Sequence, residues 1–401
     1  MADDGFGGKA FSGSDADEKS GSLASDGFRA AWARGGEWGP TVKACASELT
    51  ELPEGANFGF LYVTDAFTKD MPSVLTFLRE TTGIQNWVGT VGLGVLGNRV
   101  EYHDRGALSV LVAALPPESF RVFDAIEDER VEEGLAKLLT DQKQWLGEER
   151  PGLAIVHGDP RNVRLTEIVE ELAESTAPFL VGGLAASRIG EFPQIADRVI
   201  DGGVSGVLLK SEIEVVTGLT QGCSPIGPLR EVTQGSDNVI KEIDGRPAFE
   251  VFKEDIGELL SRDLRRVAGY IFAAFPMHNS DMGDYLVRNL MALDTERGWV
   301  SVGETVEPGR KVMFCRRDHA AAEQDMRRML KDVKARCGGT ARAGLYYSCV
   351  GRGQNLFGSD SQEMKLIQEE LGDIPVAGFF ANGEISRDRV YGYTGVLTLF
   401  R

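Results

Sequence analysis

The sequence predicts an α/β protein of two related halves, built from repeated β-α-β-β units with mixed sheets covered by helices. Three observations predict it. Short aliphatic and aromatic runs bounded by turn residues, such as Phe58 to Val63 and Leu153 to His157, have strand length. Segments between them carry apolar residues at helical spacing, as Met326, Met329, Leu330 and Val333 do. The order strand, helix, strand, strand then recurs, with Val88-Gly89, Val181-Gly182 and Ala377-Gly378 in corresponding second strands.

Taken in order, residues 1–27 are rich in Gly, Ser and Asp and read as a disordered polar tail. Thr41 to Leu49 has a helical face of Val42, Cys45, Ala46 and Leu49. After the strand Phe58 to Val63, Asp70 and Pro72 suit the first turn of a helix that Gly83 ends. Trp87 to Leu96 and Ala107 to Leu115 complete the first unit. The second has a strand to His157, a helix from Leu165 to Leu172, and strands Phe179 to Leu184 and Val204 to Leu209. Leu61 lies 28 residues before Gly89 and Ala154 lies 28 before Gly182, which suggests that these pairs correspond. A further unit is faintly legible between Tyr270 and Cys315.

Ile213 to Thr220 reads as one more strand. The run Gln221 to Pro228 holds two prolines, which a sheet interior excludes, and marks the passage between halves. The domains expected are therefore 28–220 and 221–401. Asp318 caps a helix that Gly338-Gly339 ends. The last unit runs from Gly344 to Phe400, with a Gly-Arg-Gly turn after its first strand and Asn-Gly-Glu after its second. The paired strands at the end of each unit imply antiparallel neighbours, hence mixed sheets.

Composition narrows the function. A net charge of -18 and a pI near 4.8 disfavour nucleic acid and anionic membrane surfaces as partners. No apolar run approaches the ~20 residues of a membrane span, and the start of the chain lacks a signal-peptide core. The five cysteines form no CxxC pair, so the expected setting is a reducing cytoplasm. Gly92 to Gly97 spells GxGxxG, but the next residues show no helical face, so a hairpin is favoured over a dinucleotide site. His103, His157, His278 and His319 form no metal motif, and no metal site is expected. A single histidine suffices for haem, which stays open as a cofactor.

Cys349 is the nucleophile candidate, with Arg352 near enough to lower a thiol pKa. Strand alternation places it with Leu345 and Tyr347, which favours a buried structural thiol. The stronger constellation is Gly351, Arg352 and Gly353 with Asn382, Gly383 and Glu384. Glycine N–H groups can cradle an anion, Arg352 can hold a carboxylate, and Glu384 can accept from an ammonium group. That set suits a zwitterion such as an amino acid. It suits a mutual Arg352–Glu384 salt bridge equally well.

These residues also carry a resemblance. SCVGRGQNLFG, VAGFFANGEI and YGYTGVLTLF resemble the C-terminal signature of the FIST family. NFGFLYVTDAF, WVGTVGLGVLG and GALSVLVAAL resemble its N-terminal domain, and TQGCSPIGP with EIDGRPAFEVF resembles its linking segment. Thr90 stands where relatives often carry Cys or Ser, and SRDRV after Glu384 is shorter than the glycine-rich loop of many relatives. The resemblance implies a sensory module that binds small ligands, amino acids among them, and signals through a separate protein partner. Some relatives sense gas through haem, but no histidine here matches their ligand. A Cys349-dependent hydrolase or acyl-transfer enzyme is a further alternative, and a pure interaction scaffold is another.

Overall fold

The computed structural model describes residues 19–261, 269–276, 285–339 and 341–401. The chain is mixed α/β, and a common unit occurs three times. The first copy comprises β1 (Lys19–Ser25), β2 (Phe28–Arg34), α1 (Trp38–Glu48), β3 (Phe58–Thr64), α2 (Met71–Thr82), β4 (Asn86–Gly92), the hairpin β5 (Gly94–Gly97) and β6 (Val100–His103), and β7 (Ala107–Ala113). The second comprises β8 (Phe120–Ile126), α3 (Val131–Leu146), β9 (Leu153–Gly158), α4 (Leu165–Ser175), β10 (Leu180–Leu184), the hairpin β11 (Gln194–Ala196) and β12 (Val199–Ile200), and β13 (Val204–Leu209).

The third copy opens with β14 (Val215–Gln221) and is then interrupted. The insertion holds β15 (Cys223–Pro225), β16 (Arg230–Ser236), β17 (Val239–Ile243), β18 (Arg246–Pro247), α5 (Ala248–Ser261), β19 (Ile271–Pro276), β20 (Tyr285–Asp294), β21 (Trp299–Val302) and β22 (Lys311–Arg317). The copy resumes with α6 (His319–Cys337), β23 (Ala343–Cys349), α7 (Gln362–Leu371), β24 (Val376–Ala381), the hairpin β25 (Glu384–Ser386) and β26 (Arg389–Tyr391), and β27 (Thr394–Phe400).

In each copy the first and second strands of the β-α-β element run parallel and the returning strand pairs antiparallel to the first. The sheets are therefore mixed, as the pattern predicts. Each hairpin leaves its own copy and completes a neighbour's sheet. β5 pairs with β24, β11 with β4, and β25 with β10. The three copies are thus closed into a ring, and each covers a strand edge that would otherwise be open for association.

The alternation of each strand then builds two kinds of core. Inward residues such as Phe58, Phe60, Leu153, Ile155, Leu345, Phe379 and Val181 meet in one cluster shared by all three sheets. Outward residues pack under the copy's own helix pair, Leu61 and Val63 under α1 and α2, for example. Full burial of such side chains contributes about 1.5–3 kcal/mol each. At the meeting point, Tyr62, His157 and Tyr347 occupy the same position of β3, β9 and β23. The two tyrosine hydroxyls lie 3.0 Å apart, and His157 Nε2 is 3.4 Å from that of Tyr62.

Several sequence expectations change. Lys19–Ser25 is an edge strand on β2 rather than part of a disordered tail; its serines and glycine suit a strand with one exposed edge. Trp87 to Leu96 divides at Leu93 into strands of two different sheets. The copies align two residues away from the 28-residue spacing, because Gly182 sits opposite Val156 rather than Ala154. Gly89, Gly182 and Gly378 share one requirement: a Cβ there would collide with the carbonyl of Leu61, Val156 or Tyr346. The stretch from Tyr270 to Cys315 is not a further copy. It lies in an eight-stranded antiparallel sheet covered by α5, with its own core around Phe252, Phe275 and Phe314. His278 lies outside the described residues.

Candidate functional site

The Gly351-Arg352-Gly353 turn follows β23, and Asn382-Gly383-Glu384 leads from β24 into β25. Arg352 and Glu384 are both completely buried. They do not pair with each other. Arg352 Nε and Nη2 each lie 2.9 Å from Oε1 of Glu363, in the first turn of α7. Glu363 also accepts from the Gly353 N–H at 2.8 Å, the Tyr346 hydroxyl at 2.7 Å and the Ser348 hydroxyl at 2.9 Å. Gly353 holds a left-handed φ of 49°, which turns its N–H toward that carboxylate. An internal carboxylate thus takes the Gly353 N–H that was expected to meet a ligand anion. Arg352 cannot also hold a ligand carboxylate bidentately. Only Nη1 is left, buried and without a partner, beside the backbone of Gly222.

Glu384 is held differently. Its Oε2 accepts from the Thr394 hydroxyl at 2.7 Å and the Thr394 N–H at 3.2 Å, while Oε1 is buried with no partner. Burial pushes its carboxyl up to about 8 against the pull of the Thr394 bonds and the Arg352 charge. The other copies show what the position normally does. Val95 fills it in the first copy, and Gln194 in the second, with its amide bonded to Ser205, Gly202 and Gly203. The third copy alone places an ionisable group there.

Cys349 joins this cluster. Burial, and then the nearby charge of Glu384, push its thiol well above the ordinary range, so it stays protonated. Tyr393 packs beside it, stacks 4.3 Å from Phe272 of the insertion and donates to Asn289 Oδ1 at 2.9 Å. Arg317, at the end of the insertion, donates to the carbonyls of Gly351 and Asn355 at 2.6 and 2.9 Å. The turn is thus a seam between the ring of three copies and the inserted sheet.

The structure brings Cys349, Gly351, Arg352, Gly353 and Glu384 together. Gly383 turns between them, its carbonyl accepting from the Leu184 N–H. Asn382 is exposed and meets β10 through its backbone. Sequence reasoning missed Glu363, Tyr393 and Thr394. An acid in a first helical turn is common enough to pass as a dipole partner, so Glu363 gave no signal.

The described histidines are engaged elsewhere. His157 is buried among Tyr62, Tyr347 and Phe379, and burial lowers it to about 3. His103 stacks 4.4 Å from Phe380, and His319 Nδ1 meets the Leu356 carbonyl at 3.0 Å. Among the described residues, no cluster of three or more His, Cys, Asp or Glu is placed to hold a metal ion. Nor is any helix there long and apolar enough to cross a membrane.

Residues 57–246 match the family model of the FIST N domain, and residues 248–387 match that of the FIST C domain. The chain belongs to the FIST family. FIST domains are associated with signal transduction and small-ligand sensing. The two matches meet at β18, whereas the expected divide at 220/221 falls inside β14. The chain is 32% identical over 332 residues to an uncharacterized protein of Mycobacterium tuberculosis, covering 78% of this chain and 83% of that protein. An uncharacterized protein of Mycobacterium bovis is 29% identical over 374 residues, or 90% and 94% of the two chains.

Proposed function

We propose that this FIST protein senses a small zwitterion, an amino acid in the first instance, at the seam around Glu384 and Arg352. One observation carries the reading. Two fully buried polar atoms of opposite character, Glu384 Oε1 and Arg352 Nη1, both lack partners around the same turn. Buried polar groups are almost always satisfied, so a donor and an acceptor left over around one turn support a ligand that meets both. Glu384 accepts from the ligand ammonium and Arg352 Nη1 donates one bond to its carboxylate.

Because both atoms are closed off, the ligand enters only as the seam opens. Opening breaks the Tyr393–Asn289 and Arg317–Gly351 bonds and shifts the inserted sheet against the ring. Binding selects that state, which is how a ligand becomes a signal to a separate protein. Catalysis by Cys349 is the weaker reading, since burial opposes the thiolate that the chemistry needs.

A thermal-shift screen against amino acids, small amines and small carboxylates tests the proposal. Amino acids should raise the melting temperature of the wild type, and Glu384→Gln and Arg352→Lys should each lose the response. A response that persists unchanged in both variants places the ligand elsewhere.

A further inference from the structure

The three copies allow a comparison that isolates one more site, independent of Arg352 and Glu384. In the third copy α6 lies flat on β14. It buries Ala322, Met326, Met329, Leu330, Val333 and Cys337, and Gly218 is the strand residue beneath Met329 and Val333. In the second copy α3 buries Val131, Leu135, Leu138 and Gln142 at a spacing of four, three and four. That spacing fits Ala322, Met326, Met329 and Val333 and equally Met326, Leu330, Val333 and Cys337, so Gln142 stands where the third copy buries an apolar residue, Val333 or Cys337.

Strand register places the facing residues. Gly206 lies opposite Val156 and pairs with Phe123, while Leu397 lies opposite Tyr346 and pairs with Gly218. Phe123 thus stands in β8 where Gly218 stands in β14. Two residues earlier, Arg121 stands where β14 has Val216. A glycine that lets the helix settle is replaced by a phenyl ring, and two apolar partners are replaced by Gln and Arg.

A cleft of about 640 Å³ opens where those exchanges occur, between α3, β8 and the β11–β12 turn. Its volume lies within the ~300–1,000 Å³ typical of small-molecule sites. Gln142 lines it, is only 7% exposed, and has an Oε1 that accepts no hydrogen bond. Turning the amide over would exchange an orphan acceptor for an orphan donor. A polar residue on a helix's buried stripe with an unmet bond costs stability that an apolar residue in the third copy does not.

The lining indicates the ligand class. The flanking charges neutralise one another, as Arg198 pairs with Asp124 at 2.5 Å and Lys137 with Asp141 at 3.1 Å. Phe123 and Leu138 supply apolar surface, and Trp145 is fixed by its N–H bond to the Glu118 carbonyl at 2.9 Å. What is unmet is one side-chain amide oxygen. We infer that this cleft binds an uncharged planar heterocycle with a lactam or carboxamide edge, which Gln142 pairs through adjacent donor and acceptor while the ring rests on Phe123 and Leu138.

The test uses the full chain, with uracil, hypoxanthine and nicotinamide as probes in titration calorimetry. At least one probe should bind the wild type, and Gln142→Met, which keeps the shape and removes the amide, should weaken it at least tenfold. Glu384→Gln should leave the same binding unchanged, so failure here is separable from failure of the seam proposal. Because a variant can misfold, a second measurement stays on the wild-type sequence. With 5-fluorotryptophan incorporated, the 19F resonance of Trp145, assigned from Trp145→Phe, should shift with the probe while those of the other tryptophans stay put. No binding by any probe, equal binding to Gln142→Met, loss in Glu384→Gln, or a 19F shift away from Trp145 each overturns the inference.

Discussion

Replacing Glu384 by glutamine removes an ionisable group from a place where burial opposes ionisation. Folding raises this carboxyl from 4.5 to about 8. At about 1.36 kcal/mol per unit, the difference amounts to about 5 kcal/mol as an upper limit. The sign follows from proton binding. Between pH 4.5 and 8 the folded chain keeps a proton that the unfolded chain has lost, so stability falls as pH rises through that window. Below 4.5 both states are protonated and the contribution vanishes. Glutamine keeps an oxygen for the Thr394 hydroxyl and N–H and carries no charge to desolvate. Denaturant unfolding of the wild type and Glu384→Gln at half-unit steps from pH 4.5 to 9 reads the difference, in which other titrating groups cancel. The variant should gain on the wild type by several kcal/mol across the series, levelling above pH 8. A gap that stays constant from pH 4.5 to 9 refutes the reasoning.

Other predictions follow from the same geometry. His157 is lowered to about 3 by burial, so it contributes stability that is lost as pH falls from 6.5 toward 3, and its side chain should remain neutral by 15N NMR from pH 5 to 8; an imidazolium signal in that range contradicts this. Cys349 should resist iodoacetamide in the folded protein up to pH 8.5 and react once unfolded, as read by mass spectrometry; rapid neutral-pH labelling would instead favour a nucleophile. Gly378→Ala drives a methyl group into the Tyr346 carbonyl and should cost more than about 3 kcal/mol, whereas Gly339→Ala, with open space at its Cβ, should cost under about 1 kcal/mol by the same unfolding assay.

Much of the fold was legible because its strands are buried on both faces and read as continuous apolar runs. Phe58 to Val63 and Leu153 to His157 stand out for that reason, and the caps at Gly83, Asp318 and Gly338 appear where expected. The exchange of hairpins between copies was not legible. Gly94–Gly97 pairs with residues some 280 positions away, and nothing in GVLG names its partner. Lys19–Ser25 was missed because an edge strand needs only one apolar face, and KSGSLAS has the composition of a tail.

The site was legible in half. Arg352 and Glu384 were found because glycines isolate them after apolar strands, and both turns do converge. Their partners were not found. The salt bridge of Arg352 is made with Glu363, eleven residues on, and spacing gives a loop-crossing contact no periodicity. Gln142 was not found, because the stretch holding α3 was not read as a helix. Its meaning appears only when the buried stripes of α3 and α6 are set side by side, with an apolar residue in its place.

The central claim is that Glu384 ionises to receive a ligand ammonium group. With its carboxyl raised to about 8, it is mostly protonated at pH 7 in the free protein. Titration calorimetry at pH 7 in phosphate and in Tris, with the amino acid giving the largest thermal shift, measures the protons exchanged on binding. Release of most of a proton per ligand is expected, abolished in Glu384→Gln. Binding with no proton release, or release that survives in Glu384→Gln, contradicts it.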